Sequence, residues 1–220
     1  LRGLEQEAGF HLQAGHTVGL GSGAVALELL LGAMLLPEQA TVLIPALADP
    51  WVPQAVQRAG LRPALVDVEP DTLHVDPDAL RKARAPDAAA VLVDHTAGVP
   101  CDLDRLGATC AALDLPMVEL FGVAVGARWR TRPVGACGLA GVAALDDGHL
   151  TAFGGALVAS DDDMLITRLR EALDRLPPPD AWQTAGRVAQ AHLRALLAHP
   201  SAFGLLGWAA PRLRHQGAPA

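Results

Sequence analysis

Tyrosine is absent from this 220-residue chain, and aromatic residues make up only 4% of it. A surface that stacks nucleic-acid bases needs exposed aromatic rings, so none is expected. Lysine is almost absent too: among the 17 basic residues the only one is Lys82. Chemistry that needs a side-chain amine therefore has a single residue to use. Charged residues are 19% and the net charge is -7, which excludes wholesale attraction to nucleic acid or an anionic bilayer. Three cysteines, Cys101, Cys110 and Cys137, form neither pairs nor a metal-ligand spacing. They predict a reduced, cytoplasmic protein without a disulfide framework or a zinc site. No uncharged apolar run is long enough to span a bilayer: Glu28 interrupts one candidate and Pro200 the other. Membrane contact is not expected. The first residues lack the apolar segment of a signal peptide and read as the middle of a helix, so further residues upstream are expected.

What is present is apolar mass. Hydrophobic residues are 51%, with 22 Gly and 17 Pro to punctuate them, enough for a sizeable core. Helical periodicity follows Ser22 to about Leu35, with Ser22 as cap. Further helices are predicted over 53–59, 76–83 and 103–113. Strands are predicted over 41–44, 63–68, 88–93, 116–120, 139–145 and 155–160. The segment Ala88-Ala89-Ala90-Val91-Leu92-Val93 is apolar throughout, as in a strand covered on both faces. Alternating strands and helices predict a three-layer α/β sandwich with a mostly parallel sheet. After Ser160, read as the cap of a helix with three aspartates in its first turn, strand signals stop. The expected organisation is a domain over 1–160 and a helical C-terminal extension over 161–220.

Several motifs could carry chemistry. Gly19-Leu20-Gly21-Ser22-Gly23-Ala24 opens a helix, where backbone N–H groups hold phosphates. A dinucleotide fingerprint would need a good strand before it, and His16-Thr17-Val18 reads as too short. A plain tight turn remains the alternative. Asp94-His95 ends a buried strand at the sheet edge where sites gather, or is a histidine satisfied within its loop. His74, Asp76 and Asp78 read as solvated caps rather than metal ligands. Asp146-Asp147-Gly148-His149 reads as a turn.

Taken together, these pieces resemble the large domain of the DegT/DnrJ/StrS sugar aminotransferases, from residue 1 to about 175. Ser22-Gly23-Ala24 is similar to that family's phosphate turn. The stretch from Val66 through Glu69-Pro70-Asp71-Thr72-Leu73-His74-Val75-Asp76 to Pro77 is the longest match. Val93 to Asp104 resembles its "His-x-x-Gly-x-x-x-Asp-Met-Asp" loop, and Gly154-Gly155 its Gly-Gly strand. The resemblance implies the aspartate-aminotransferase fold, a dimer, and pyridoxal phosphate (PLP) as cofactor. It also locates the departures. Ala24 stands for a threonine of the phosphate turn, and the ring-stacking aromatic falls at Asp49, two residues from Trp51. Leu120 stands where an Asp pairs with the pyridine nitrogen, and Val123 where a Gln contacts the ring. The family's covalent lysine falls on Gly148, next to His149.

The expected outcome is a non-catalytic relative, acting as partner or accessory protein in sugar or polysaccharide biosynthesis. No cofactor is expected, or PLP if the family chemistry survives. The alternatives are a sugar aminotransferase that borrows a lysine from another chain and a sugar 3-dehydratase with His149 as base. A module binding a nucleotide sugar or phosphate through Ser22-Gly23 and Asp94-His95 also stays open. The partner implied is a second copy or a related aminotransferase, and no nucleic acid. The family's usual second domain is expected to be missing or truncated.

Overall fold

In a computed structural model of the chain, residues 2–145 and 154–177 are described, with residues 185, 186 and 189. The chain divides into two compact units, Leu1–Leu176 and Pro177–Ala220. The first unit opens with α1 (Arg2–Leu12), β1 (His16–Leu20), α2 (Gly23–Ala33) and β2 (Thr41–Pro45). It continues with α3 (Trp51–Arg58), β3 (Arg62–Val66), α4 (Pro77–Ala83) and β4 (Ala88–Asp94). Then come α5 (Leu103–Ala112), β5 (Met117–Leu120) and a small hairpin of β6 (Arg128–Trp129) with β7 (Arg132–Pro133). It closes with β8 (Ala140–Ala144), β9 (Ala156–Ser160) and α6 (Asp163–Asp174).

Seven strands form one sheet in the order β1-β9-β8-β5-β4-β2-β3. β8, β5, β4, β2 and β3 run parallel to their neighbours, while β9 pairs antiparallel with both β8 and β1. This is the predicted α/β sandwich with a mostly parallel sheet. The strands are buried because both faces are covered. On one face, Leu27, Leu30 and Leu31 of α2, Val52 and Val56 of α3, and Leu165, Ile166 and Leu169 of α6 pack against Ala90, Leu92, Val118 and Leu120. On the other, Leu12 of α1, Leu80 of α4, and Leu103 and Leu106 of α5 pack against Val91, Val93 and Met117. The period-two alternation along β4 thus assigns Ala90 and Leu92 to the α2 face and Val91 and Val93 to the α5 face.

Four local expectations change. His16-Thr17-Val18 is not too short: β1 continues through Gly19 to Leu20, held by its antiparallel pairing with β9. Distant sequence supplies that pairing, which propensity along the segment does not show. Ser160 does not cap the last helix. It ends β9, and its hydroxyl donates to the Leu139 carbonyl while accepting from the Asp162 N–H, and Asp162 is the cap. α6, placed by the sequence reading in the C-terminal extension, lies within the first unit against α2. His74 is buried rather than a solvated cap, whereas Asp76 does cap α4. The turn at Asp146-Asp147-Gly148-His149 lies outside the described residues, as does all of the helical stretch expected beyond Pro177-Pro178-Pro179 except residues 185, 186 and 189.

Candidate functional site

Parallel strands bring their carboxyl ends to one edge of the sheet, and ligand sites form beyond that edge. Here β4 ends at Asp94 and β5 at Leu120, which face one another in register. Beyond them lies a small cavity of about 50 Å³, lined among others by Asp49, Trp51, Asp94, Leu120, Val123 and Ala144. Ser22, the α2 cap, accepts from the Val25 N–H, so the phosphate-type turn is a formed helix N-terminus. That turn borders the cavity. A Cβ on Gly23 would meet the Ala144 Cβ at 2.5 Å and the Trp51 ring at 3.4 Å, so only glycine fits this approach. Ala24 follows it in the first turn of α2. Gly122 makes an equally close approach to the Ala144 carbonyl.

Of the positions singled out by sequence, Asp49, Asp94, Leu120 and Val123 line this one cavity, and Ser22, Gly23 and Ala24 sit at its border. Asp49 is exposed in the loop before α3. The aromatic side chain on the cavity is Trp51, and its indole N–H is buried without a hydrogen-bond partner among the described residues. Trp51 thus stands at the cavity that Asp49, two residues before it, also lines. Asp94 is partly buried, and loss of solvent pushes its carboxyl up to about 6; the Asp49 charge adds to the rise and His95 opposes it.

His95 is elsewhere. It is fully buried, and its Nδ1 accepts the Cys101 N–H at 3.1 Å. Its Nε2 therefore carries the proton and donates to Glu119 Oε2 at 3.0 Å. Glu119 also accepts from the N–H groups of Gly135 (2.8 Å), Cys137 (2.6 Å) and Gly138 (2.7 Å). Burial alone would raise the Glu119 pKa, but the His95 and backbone donors outweigh it and hold the carboxyl below its ordinary range. His95 is thus a satisfied structural histidine that ties β4 and β5 to the following loop. Nothing in the sequence marked Glu119 as its partner; only the adjacent strands β4 and β5 bring them together.

Lys82 is exposed near the end of α4, in the layer that covers the opposite face of the sheet from Trp51 and Leu120. Gly148 and His149 lie outside the described residues. Among the described residues, no group of three or more His, Cys, Asp or Glu side chains could hold a metal, and no helix is long and apolar enough to cross a membrane.

The DegT/DnrJ/EryC1/StrS aminotransferase family matches residues 1–178. The L-glutamine:2-deoxy-scyllo-inosose aminotransferase of Micromonospora echinospora is 36% identical over 158 residues, which is 70% of this chain and 37% of that protein. DesV of S. venezuelae superposes with a TM-score of 0.71 at 31% identity, over 77% of this chain and 46% of that one. 3-Amino-5-hydroxybenzoic acid synthase superposes with a TM-score of 0.72 at 29% identity, over 81% of this chain and 48% of that one. The chain thus spans less than half the length of these relatives.

Proposed function

The chain belongs to the DegT/DnrJ/EryC1/StrS aminotransferase family, and from that premise we propose that it is a member without amine transfer, a non-catalytic partner of an active aminotransferase or another enzyme of sugar or polysaccharide biosynthesis. We place it in the cytoplasm as a homodimer or a heterodimer with a related aminotransferase. One observation carries the reading. The chain's single lysine, Lys82, stands on the opposite face of the sheet from the cavity that Trp51 and Leu120 line. A family that anchors its cofactor through a lysine amine has no such amine here.

The residues present fit PLP in part. The turn at Ser22-Gly23 suits the phosphate, as a helix N-terminus does. Trp51 offers a ring face and an unpartnered N–H, and Asp94 offers a carboxyl. The covalent anchor does not fit. When bound, PLP supplies an electron sink for carbanion chemistry. The chain's residues would hold it by non-covalent contacts alone.

The test mixes PLP with wild type, Lys82→Arg and Gly148→Lys, traps any amine-linked cofactor by reduction, and assays amine transfer from glutamate to a keto sugar. Wild type should carry label only on Lys82 or at a chain terminus and give no transfer, and Lys82→Arg should lose the side-chain label. Turnover by the purified wild type overturns the proposal. A second reading, a 3-dehydratase with His149 as base, has the Asp94 carboxyl in its favour. It would be known by its product, a sugar that has lost a hydroxyl without gaining an amino group.

A further inference from the structure

Two stretches of the chain take no part in the Trp51 cavity and meet in the layer of α4 and α5. One is residues 67–76 between β3 and α4, the other residues 95–102 between β4 and α5. They are tied at two points. The Thr96 hydroxyl donates to the Leu73 carbonyl at 3.4 Å, and the Arg105 guanidinium in the first turn of α5 donates to Glu69 at 2.9 Å. Between them lies a cavity of about 420 Å³, a size at which small-molecule sites occur, and Trp129 of β6 forms part of its wall. Leu73, Val99 and Leu106 give it an apolar surface, and Leu73 and Val99 are exposed. Two ring nitrogens of its wall residues, His74 Nε2 and Trp129 Nε1, are buried without a hydrogen-bond partner among the described residues. Buried polar groups are nearly always paired, so two orphans on one cavity call for a partner that enters it.

We propose that this cavity binds an uncharged ring bearing several hydroxyl groups, with hydroxyls paired to Trp129 Nε1 and His74 Nε2. The donors and charges around the cavity select that class. An indole N–H only donates, so its partner must accept. His74 is 6% exposed, and burial holds its pKa below the ordinary value although the Val99 carbonyl favours the proton. A neutral imidazole nitrogen needs a donor or an acceptor according to its tautomer, and a hydroxyl answers as either. An anion would also accept from Trp129, but Glu69, Asp71 and Asp102 line the cavity, and the guanidinium there, Arg105, is already paired with Glu69. A wholly apolar ligand would leave both nitrogens unpaired. A ring of hydroxyl-bearing carbons presents hydroxyls at its rim and C–H groups to Leu73, Val99 and Leu106. Both nitrogens lie behind the surface of the wall, so the ligand reaches them through a side-chain adjustment, a common change on binding. This cavity shares no lining residue with the Trp51 cavity, so the inference rests neither on PLP nor on the absence of amine transfer.

The experiment uses the full chain with its Trp and His ring nitrogens isotopically labelled. D-glucose, myo-inositol and inorganic phosphate are titrated into wild type, Trp129→Phe and Val99→Phe, with ring signals followed by NMR and affinity by calorimetry. The signal lost in Trp129→Phe identifies the Trp129 N–H. In wild type that signal should move and saturate with at least one of the two polyols, at a Kd of about 1 mM or below, while the Trp51 signal stays in place. Phosphate should leave the Trp129 signal unmoved. Trp129→Phe keeps a ring in the wall and removes the donor, so it should weaken polyol binding about five- to tenfold. Val99→Phe, at an exposed position, should fill the mouth and weaken binding at least as much, and an unaltered Trp51 signal in that variant marks an intact fold. No shift of Trp129 with either polyol at roughly a hundred times that concentration leaves water as the partner of the nitrogens and overturns the proposal. So does an equal shift at Trp51, a larger Trp129 shift with phosphate, or unchanged polyol affinity in either variant.

Discussion

Asp94 and Glu119 are both carboxyls beside the same histidine, yet their surroundings push them in opposite directions. Glu119 is surrounded by donors and stays ionised. Asp94 loses solvent without gaining a donor of comparable strength. The consequence for stability has a definite sign. Between the ordinary value of 3.8 and the native value of about 6, the folded chain holds a proton that the unfolded chain has released. Stability contributed by Asp94 therefore falls as pH rises through that window, by about 3 kcal/mol in all. Asp94→Asn removes the ionisation. It should raise the unfolding free energy at pH 8 by up to about 3 kcal/mol and give little gain at pH 4. Urea unfolding of both proteins at the two pH values measures this, and an equal gain at both would show that charge is not the cause.

At the scale of elements, helix starts are set by small local devices. Asp162 accepts from the Leu165 N–H at 2.9 Å and so caps α6. Asp162→Ala should cost about 1 kcal/mol, read as a fall in thermal midpoint. Restoring Asn at 162 should return most of it, while no change at all would move the cap elsewhere. The elements themselves were largely readable. The continuous apolar run of β4, the Ser22 cap and the Pro77 start of α4 each have a local cause and each is present. β1 was not readable, because its partner β9 is far along the chain. The cavity was legible at the level of positions: Leu120, Val123 and Asp94 all line it. What could not be read was direction. His95 and Asp94 are adjacent in sequence but enter opposite core layers, and only the strand's alternation, known once β4 is placed, separates them. Trp51, named two residues from the counted position at Asp49, could not be preferred to it for a similar reason, since a count along a loop does not say which side chain turns inward.

For the whole molecule, the sheet's edges limit how copies can meet. β3 forms one edge and carries Arg62 and Pro63, residues that hinder addition of a further strand. Association is expected through surfaces other than this edge. Sedimentation velocity at micromolar concentration should give a dimer, and a lone monomer or an open series of larger species would contradict the proposed assembly.

The position of β1 also bears on the order in which the protein is made. Its partner strand begins at Ala156, and α6, which packs on α2, follows that strand. On a ribosome adding about 5–20 residues each second, β1 emerges roughly 7–30 seconds before β9, its partner. In that interval Gly19 and Leu20 lack their partner strand, and once β8 is made it is an open edge until β9 follows. High contact order of this kind slows folding and exposes the nascent chain to misassembly. Among the described residues, the strand that admits β1 is the latest one made, and chaperone demand should peak just before residue 156 leaves the exit tunnel.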